Sequence, residues 1–282
     1  DGVWRHLPAA LQHEGGPQVR GCVAVAVAED VAVLDNLSGG RFTFGVAPGY
    51  VTKEFLAHNI PRSERVGRFE EALDFMTLAW RGEPFSFNGK YYTTKEARVL
   101  PPTLQKPHPP IWYGVSAASS LRRAVDRRAV QIMSPRHGMS ELKVHYNIYD
   151  KAAKEAGWNP PDRPIIRQVF IAPTKERAEA LASPAVDYLY RELYGAASAA
   201  GDRVLRSDDG QIINESDAVK FEGFKRRYII GDPEYAIEEI KKYDAELQPT
   251  EMICWMHMPG IRGSDVDASM ELFAKEVIPE FS

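Results

Sequence analysis

Cysteine is scarce in this chain and long apolar runs are missing. Among 282 residues only Cys22 and Cys254 are thiols; they lie far apart and without metal-type spacing, which supports neither a disulfide framework nor a zinc site and suits incidental thiols of a reducing compartment. No continuous apolar stretch reaches the about 18 residues of a membrane span, and the first residues lack a basic-then-apolar signal pattern. A cytoplasmic location with no membrane partner is therefore expected. Basic residues form no block, and 35 of them against 39 acidic ones leave a net charge of −4, so nucleic acid is not an expected partner. Also missing are a Gly-x-Gly-x-x-Gly turn after a strand, a phosphate loop and a Ser-His-Asp signature. The first of these absences disfavours a dinucleotide-binding Rossmann domain.

What is present is ordinary globular material, 44% hydrophobic and 26% charged, in a length common for a single α/β barrel. The chain is organised around residues 28–50. Val31, Leu34 and Leu37 fall three apart on one helical face, Gly39-Gly40 stops that helix, and Phe42 to Val46 is a short apolar run of strand length. The loop Gly45-Val46-Ala47-Pro48-Gly49-Tyr50 opens at the strand's carboxyl end, where parallel α/β folds place ligands. Before this stretch, Val19 to Val27 reads as a weak strand. After it come a polar loop over 51–61 and a helix from Ser63 with Val66, Phe69, Leu73, Met76 and Trp80 on one face. Phe85 to Val99 alternates around Asn88-Gly89, which predicts a two-residue hairpin within an excursion spanning 83–104.

Strand and helix then alternate. Ile111-Trp112-Tyr113 is a buried strand feeding a helix that turns Leu121, Ala124 and Val125 inward. Strand 129–133 leads through Ser134-Pro135-Arg136-His137-Gly138 into a helix over 140–156, Ile165 to Ala172 is another strand, and Thr174 caps the helix after it. Residues 195–228 carry no sustained period until Phe221 and form either a lid or a surface insertion. Asp232-Pro233 begins a helix with Ile237, Ile240 and Leu247 on its buried face. Met252 to Met258 is the last strand, and Ser264 with Asp267 forms a capping box for a helix burying Val266, Met270, Phe273 and Val277. This order implies a mostly parallel sheet covered by helices, in one domain.

Chemistry is best accommodated at Tyr113-Gly114-Val115-Ser116-Ala117-Ala118-Ser119. A strand running into a helix start offers unpaired backbone N–H groups and the positive end of the helix dipole, and Ser116 and Ser119 add hydroxyls. The site suits a dianionic phosphate; the competing reading makes Ser116 a simple N-cap and the other serines solvated. Arg136 and His137 follow a strand end, and loop residues of these types are more often solvated than catalytic. Core packing is expected for Trp255, while His257, two residues on, could line a pocket. Glu70-Glu71 and Glu238-Glu239 are expected on outward helix faces as solvating charge.

The run Ala28-Glu29-Asp30-Val31, Leu34-Asp35, Ser38 and Gly40-Arg41-Phe42 resembles the segment before the fourth barrel strand of the bacterial luciferase-like flavin monooxygenases. The likeness continues through Trp80-Arg81-Gly82, Gly89-Lys90-Tyr91-Tyr92, Pro101-Pro102, Gln105-Lys106-Pro107-His108-Pro109-Pro110-Ile111 and Glu276-Val277-Ile278-Pro279. The resemblance implies a (β/α)8 TIM barrel using reduced FMN and O2 to oxygenate a small organic substrate, with a separate flavin reductase as donor and helices around residues 28–50 pairing two copies. Carried over residue by residue, it places Ala47, Gly114, Val115, Ser116, Ser119, Met133 and Ser134 at the flavin, with Ser116 and Ser119 on its phosphate. Pro48 stands where luciferase itself has a phosphate-binding arginine. The family's catalytic histidine follows its second strand; Trp4-Arg5-His6 is similar to that neighbourhood and His13-Glu14 is a looser match, so His6 and His257 are candidates without an assignment. Residues 1–27 are too few for the three preceding strands at about 30 residues per βαβ unit. Either the molecule is a shortened relative or these residues join segments that are not contiguous in the native chain; the second is expected, because a barrel missing strands would leave unpaired edges beside an apolar interior. The alternatives are hydride transfer with the deazaflavin F420, whose enzymes share the barrel, and a non-catalytic flavin-binding relative.

Overall fold

The computed structural model describes residues 17–115, 117–194, 205–206, 212–213 and 221–281. They fall into two compact units, Asp1–Gly114 and Val115–Ser282.

The first unit opens with one continuous helix, α1 (Pro17–Leu37). The strand expected at Val19–Val27 is thus helical: the Val and Ala alternation there mimics a strand, but alanine has the highest helix propensity and the segment propagates straight into residues 28–37. Residues 1–16 lie outside the described residues. The buried face of α1 is Ala24, Ala28, Val31, Ala32 and Asp35. Leu37, expected inward, is 79% exposed, and its place is taken by a carboxylate. Asp35 accepts hydrogen bonds from the backbone N–H of Gln105 (2.8 Å) and from Gln105 Nε2 (2.7 Å), and that same Nε2 donates to Phe42 O (2.8 Å). One buried carboxylate therefore fixes the 105 loop to the helix that precedes strand β1 (Phe44–Val46). Gly39 and Gly40, at φ +64° and +78°, end α1 where a Cβ would be strained.

The expected 51–61 loop contains a short helix, α2 (Thr52–Ala57). Ser63 sits in a 3-10 turn, and α3 (Arg65–Ala79) starts after Glu64 without a side-chain cap. Its buried face holds Phe69, Leu73, Phe75 and Met76. Strands β2 (Phe85–Asn88) and β3 (Thr93–Ala97) pair antiparallel, Asn88 opposite Thr93, so the connection is the four residues Gly89 to Tyr92 and not two. Glu71 explains the difference. Its carboxylate accepts from the backbone N–H groups of Lys90 (3.0 Å), Tyr91 (2.7 Å) and Tyr92 (2.8 Å), which holds the wider turn against α3. Glu70 is engaged as well, accepting from Tyr113 Oη. Neither member of this pair is the solvated charge that the spacing suggests. β4 (Ile111–Val115) runs parallel to β1, with Phe44, Gly45 and Val46 opposite Ile111, Trp112 and Tyr113.

In the second unit α4 (Ala118–Asp126) buries Leu121, Ala124 and Val125 as expected. β5 (Val130–Met133) is wholly buried and leads to α5 (Met139–Glu155). β6 (Pro164–Ile171) is the centre of a parallel sheet in the order β10-β6-β9, with β9 (Ile229–Gly231) and β10 (Glu251–Trp255) on its two sides. β9 has no counterpart in the sequence reading because three residues are too short to show a period. Thr174 caps α6 (Lys175–Tyr188) by accepting from Arg177 N, and Asp232 caps α7 (Pro233–Leu247) by accepting from Tyr235 N at 2.9 Å. Ala236, Tyr243 and Leu247 are buried on α7, with Ile237 and Ile240 half-buried. Two short strands, β7 (Leu205–Arg206) and β8 (Ile212–Ile213), pair antiparallel inside the 195–228 segment, most of which lies outside the described residues. The last helix, α8 (Gly263–Glu276), starts after Arg262, whose Nε reaches Asp265 at 3.0 Å, so the expected Ser264 capping box is not formed. Val266 and Phe273 are buried there, whereas Met270 is exposed.

Candidate functional site

Parallel strands end at their carboxyl side in loops and helix starts, and each unit carries expected residues at such strand ends. In the first unit Ala47 follows β1 and Gly114 lies in β4. A Cβ built on Gly114 would stand 2.7 Å from Ala47 Cβ and 3.1 Å from Val46 O. The two backbones approach so closely that only glycine fits, which leaves this strand end without a side chain at Gly114. Ala47 itself is half-buried.

β4 continues through Val115, whose backbone ends the strand, and Ser116, which lies outside the described residues, into α4. Ala117, extended at φ −153°, ψ 156°, is the N-cap. Alanine has no side chain to cap with, and Ser120 does so instead: its Oγ accepts from Ala117 N (3.1 Å) and donates to Ala117 O (2.7 Å). Ser120 N and Leu121 N both donate back to Ala117 O. The first N–H groups of the helix, those of Ala118 and Ser119, have no acceptor within it. Ser119 is exposed on this first turn. An anion at this helix start would meet backbone donors and the positive end of the dipole together.

The loop after β5 is more constrained than its sequence suggests. Met133 is buried at the strand end and Ser134 is half-buried. His137 is buried, and its Nδ1 lies 2.9 Å from Ser134 O. A carbonyl only accepts, so the proton sits on Nδ1 and Nε2 is left as an acceptor. Burial lowers the His137 pKa to about 4 despite that hydrogen bond, and Arg136 adds to the effect. His137 is thus a neutral imidazole at physiological pH. Behind the loop, Arg167 and Arg227 donate to its carbonyls. Sequence reasoning missed both arginines. The available signal was a guanidinium inside the apolar run Ile165-Ile166-Arg167-Gln168-Val169-Phe170.

Other expected positions do not join these groups. Trp255 is 43% exposed at the end of β10, so it is not core, and His257 is exposed two residues beyond the strand. His6 lies outside the described residues. Burial pushes the Cys254 thiol up to about 11, which makes it a poor nucleophile. A groove of about 500 Å³ runs along α6, but Glu176, Glu179, Asp187 and Glu222 line it, a charge set that would repel a phosphate. Among the described residues no group of three or more His, Cys, Asp or Glu could hold a metal ion. No described helix is long and apolar enough to cross a membrane.

A family model described as luciferase-like monooxygenase matches residues 23–247. The oxygenase component of flavin-dependent trigonelline monooxygenase from Acinetobacter baylyi is 25% identical over 271 residues, covering 92% of this chain and 72% of that protein. The uncharacterized protein y4wF of Sinorhizobium fredii is 27% identical over 158 residues, 56% of this chain and 46% of that protein, so that match spans about half of the relative's length. Among solved structures, the oxygenating constituent of 3,6-diketocamphane monooxygenase from Pseudomonas putida, in complex with FMN, superposes with a TM-score of 0.72 at 20% identity over 98% of this chain and 78% of that one. An F420-dependent secondary alcohol dehydrogenase does so with a TM-score of 0.68 at 18% identity, covering 92% and 75%. At these identities the structural likenesses establish a luciferase-like α/β fold.

Proposed function

The chain belongs to the luciferase-like monooxygenase family, and from that premise we propose that it is the oxygenase component of a flavin-dependent monooxygenase. It takes reduced FMN from a separate reductase and oxygenates a small organic substrate with O2. The observation that carries this reading is the start of α4, where the N–H groups of Ala118 and Ser119 have no acceptor within the helix. The start of α4 suits a flavin phosphate, because its first backbone donors, the positive end of the helix dipole and the exposed Ser119 lie on one helical turn. Pro48 supplies no charge, so the α4 start has to do the holding that an arginine does in luciferase.

Reduced FMN, when bound, would supply the two electrons with which O2 gives one oxygen atom to substrate and one to water, leaving oxidised FMN. The chain's own residues would hold it: Ser116 and Ser119 would take the phosphate, and Met133 and Ser134 would meet the ring. The trigonelline relative's description as an oxygenase component supports a partner reductase. A second reading, hydride transfer with F420, draws support from the F420-dependent fold neighbour. The absorbance of the loaded protein separates the two cofactors, and oxygen uptake with free reduced FMN separates an oxygenase from a passive flavin binder.

The S116A/S119A double variant tests the site. It removes two hydroxyl donors to a charged group at roughly 1.5–3 kcal/mol each before non-additivity, so FMN affinity is expected to fall more than about tenfold. Riboflavin, which has no phosphate, should bind both proteins alike. Undiminished FMN affinity in a folded double variant would put the phosphate elsewhere.

We also propose that two copies pair through the first unit. Val33 and Leu37 on α1 and Leu56, Leu100 and Leu104 elsewhere in this unit are exposed apolar side chains, and exposed apolar surface supports an interface there. Light scattering at micromolar concentration is expected to give a dimer or higher oligomer burying more than about 1,200 Å² in total. A monomer at that concentration rejects the pairing.

A further inference from the structure

Four successive carbonyls of the loop after β5 each accept a hydrogen bond. Arg167, fully buried on β6, donates from Nη1 to Pro135 O (2.9 Å) and to His137 O (2.8 Å). Arg227, also buried, in the 3-10 turn that precedes β9, donates from Nη1 to Arg136 O at 3.0 Å. Ser134 O accepts from His137 N (3.2 Å) and lies 2.9 Å from its Nδ1. Loop carbonyls at a sheet end ordinarily bond to water, and here two buried arginines from elsewhere in the unit hold three of them.

Stability alone does not account for Arg167. Burial pushes its pKa down, its guanidinium carbon lies 4.9 Å from the Tyr243 ring centre, and among the described residues no carboxylate forms an ion pair with it. Nε and Nη2 make no hydrogen bond. A buried cation without a counter-ion is costly, and an apolar side chain of similar volume commonly does as well or better for stability. What Arg167 does that methionine could not is donate to two carbonyls two residues apart.

We propose that Arg167 and Arg227 are positioning residues that clamp residues 134–138 in the single shape in which Met133 and Ser134 meet the flavin ring. The proposal rests on the flavin reading given above. The clamp acts through the loop, so it is read by two independent measurements on R167M: amide hydrogen exchange at Arg136, His137 and Gly138 in the flavin-free protein, and the visible difference spectrum of added FMN. Exchange at these amides is expected to rise at least about tenfold. The FMN dissociation constant is expected to rise about tenfold, with loss of the bound-flavin band shift. The circular dichroism of R167M should match the parent's. Unchanged loop exchange in a folded R167M overturns the clamp while leaving the flavin reading intact if the parent binds FMN. Faster exchange with FMN affinity and spectrum unchanged also overturns it, because the loop's shape would then not matter to the flavin. A parent that binds no FMN defeats the flavin reading itself and the clamp's purpose with it. Should R167M fail to fold, R227M, which releases a single loop carbonyl, is decided by the same two measurements.

Discussion

Truncating Trp80 to alanine is expected to remove about 3–5 kcal/mol of stability, the usual range for losing a buried tryptophan. The indole is fully buried where α3 ends, and its Nε1 donates to Ala28 O of α1 at 2.9 Å. Its ring meets Phe44 of β1 edge-to-face at 5.6 Å and lies 5.7 Å from the His108 ring. One side chain thus joins the organising helix, the first strand and the loop leading to β4, and its removal leaves a cavity that three separate elements would have to close. W80F keeps most of the apolar surface and loses the N–H donor, so it should cost about 1–3 kcal/mol less than W80A loses. Denaturant midpoints at constant slope measure both. A loss below about 1.5 kcal/mol for W80A would mean that α1 and α3 are held by something other than this indole.

The second large effect is a pH dependence carried by His137. Its folded pKa, about 4, lies below the value of 6.5 for an unperturbed histidine, first because burial disfavours the charged ring and further because of Arg136 and His145, with the Ser134 carbonyl and Glu141 opposing. The unfolded chain therefore takes up a proton at a pH where the folded protein does not. The stability associated with the neutral ring is fully present above pH 6.5 and is lost as pH falls through 4. A difference of this size corresponds to about 3 kcal/mol. Carboxylates also titrate in this window, so the quantity to measure is the difference between the parent and H137N. The variant's stability is expected to fall less steeply between pH 6.5 and 4. Parallel curves would show that the ring is solvated or protonated in the folded state.

Local chemistry was readable from the sequence wherever a residue acts on its own neighbours. Gly39-Gly40 ended a helix, Thr174 and Asp232 capped others, β5, its loop and α5 stood within a residue or two of their expected bounds, and the family resemblance rested on runs of this kind. Even here the reading failed where two local signals competed, since the Val and Ala alternation before residue 28 fits a strand and a helix alike. α2 and β9 were too short to register.

Which polar groups are buried was another matter. Asp35 and Leu37 lie two residues apart on α1, and hydropathy alone puts the leucine inside; the reverse holds because Gln105, seventy positions on, arrives to satisfy the carboxylate. Glu70 and Glu71 look like surface charge until Tyr113 and the 90–92 backbone are brought against them. Arg167 looks like an interruption of a strand until the 134–138 loop folds over it. By itself, then, the sequence determined the alternation of strands and helices from β1 onward, several of their caps and stops, and membership of a family. Only the tertiary structure decided which charges go inside, because the cost of burying a charge depends on partners that chain distance does not reveal.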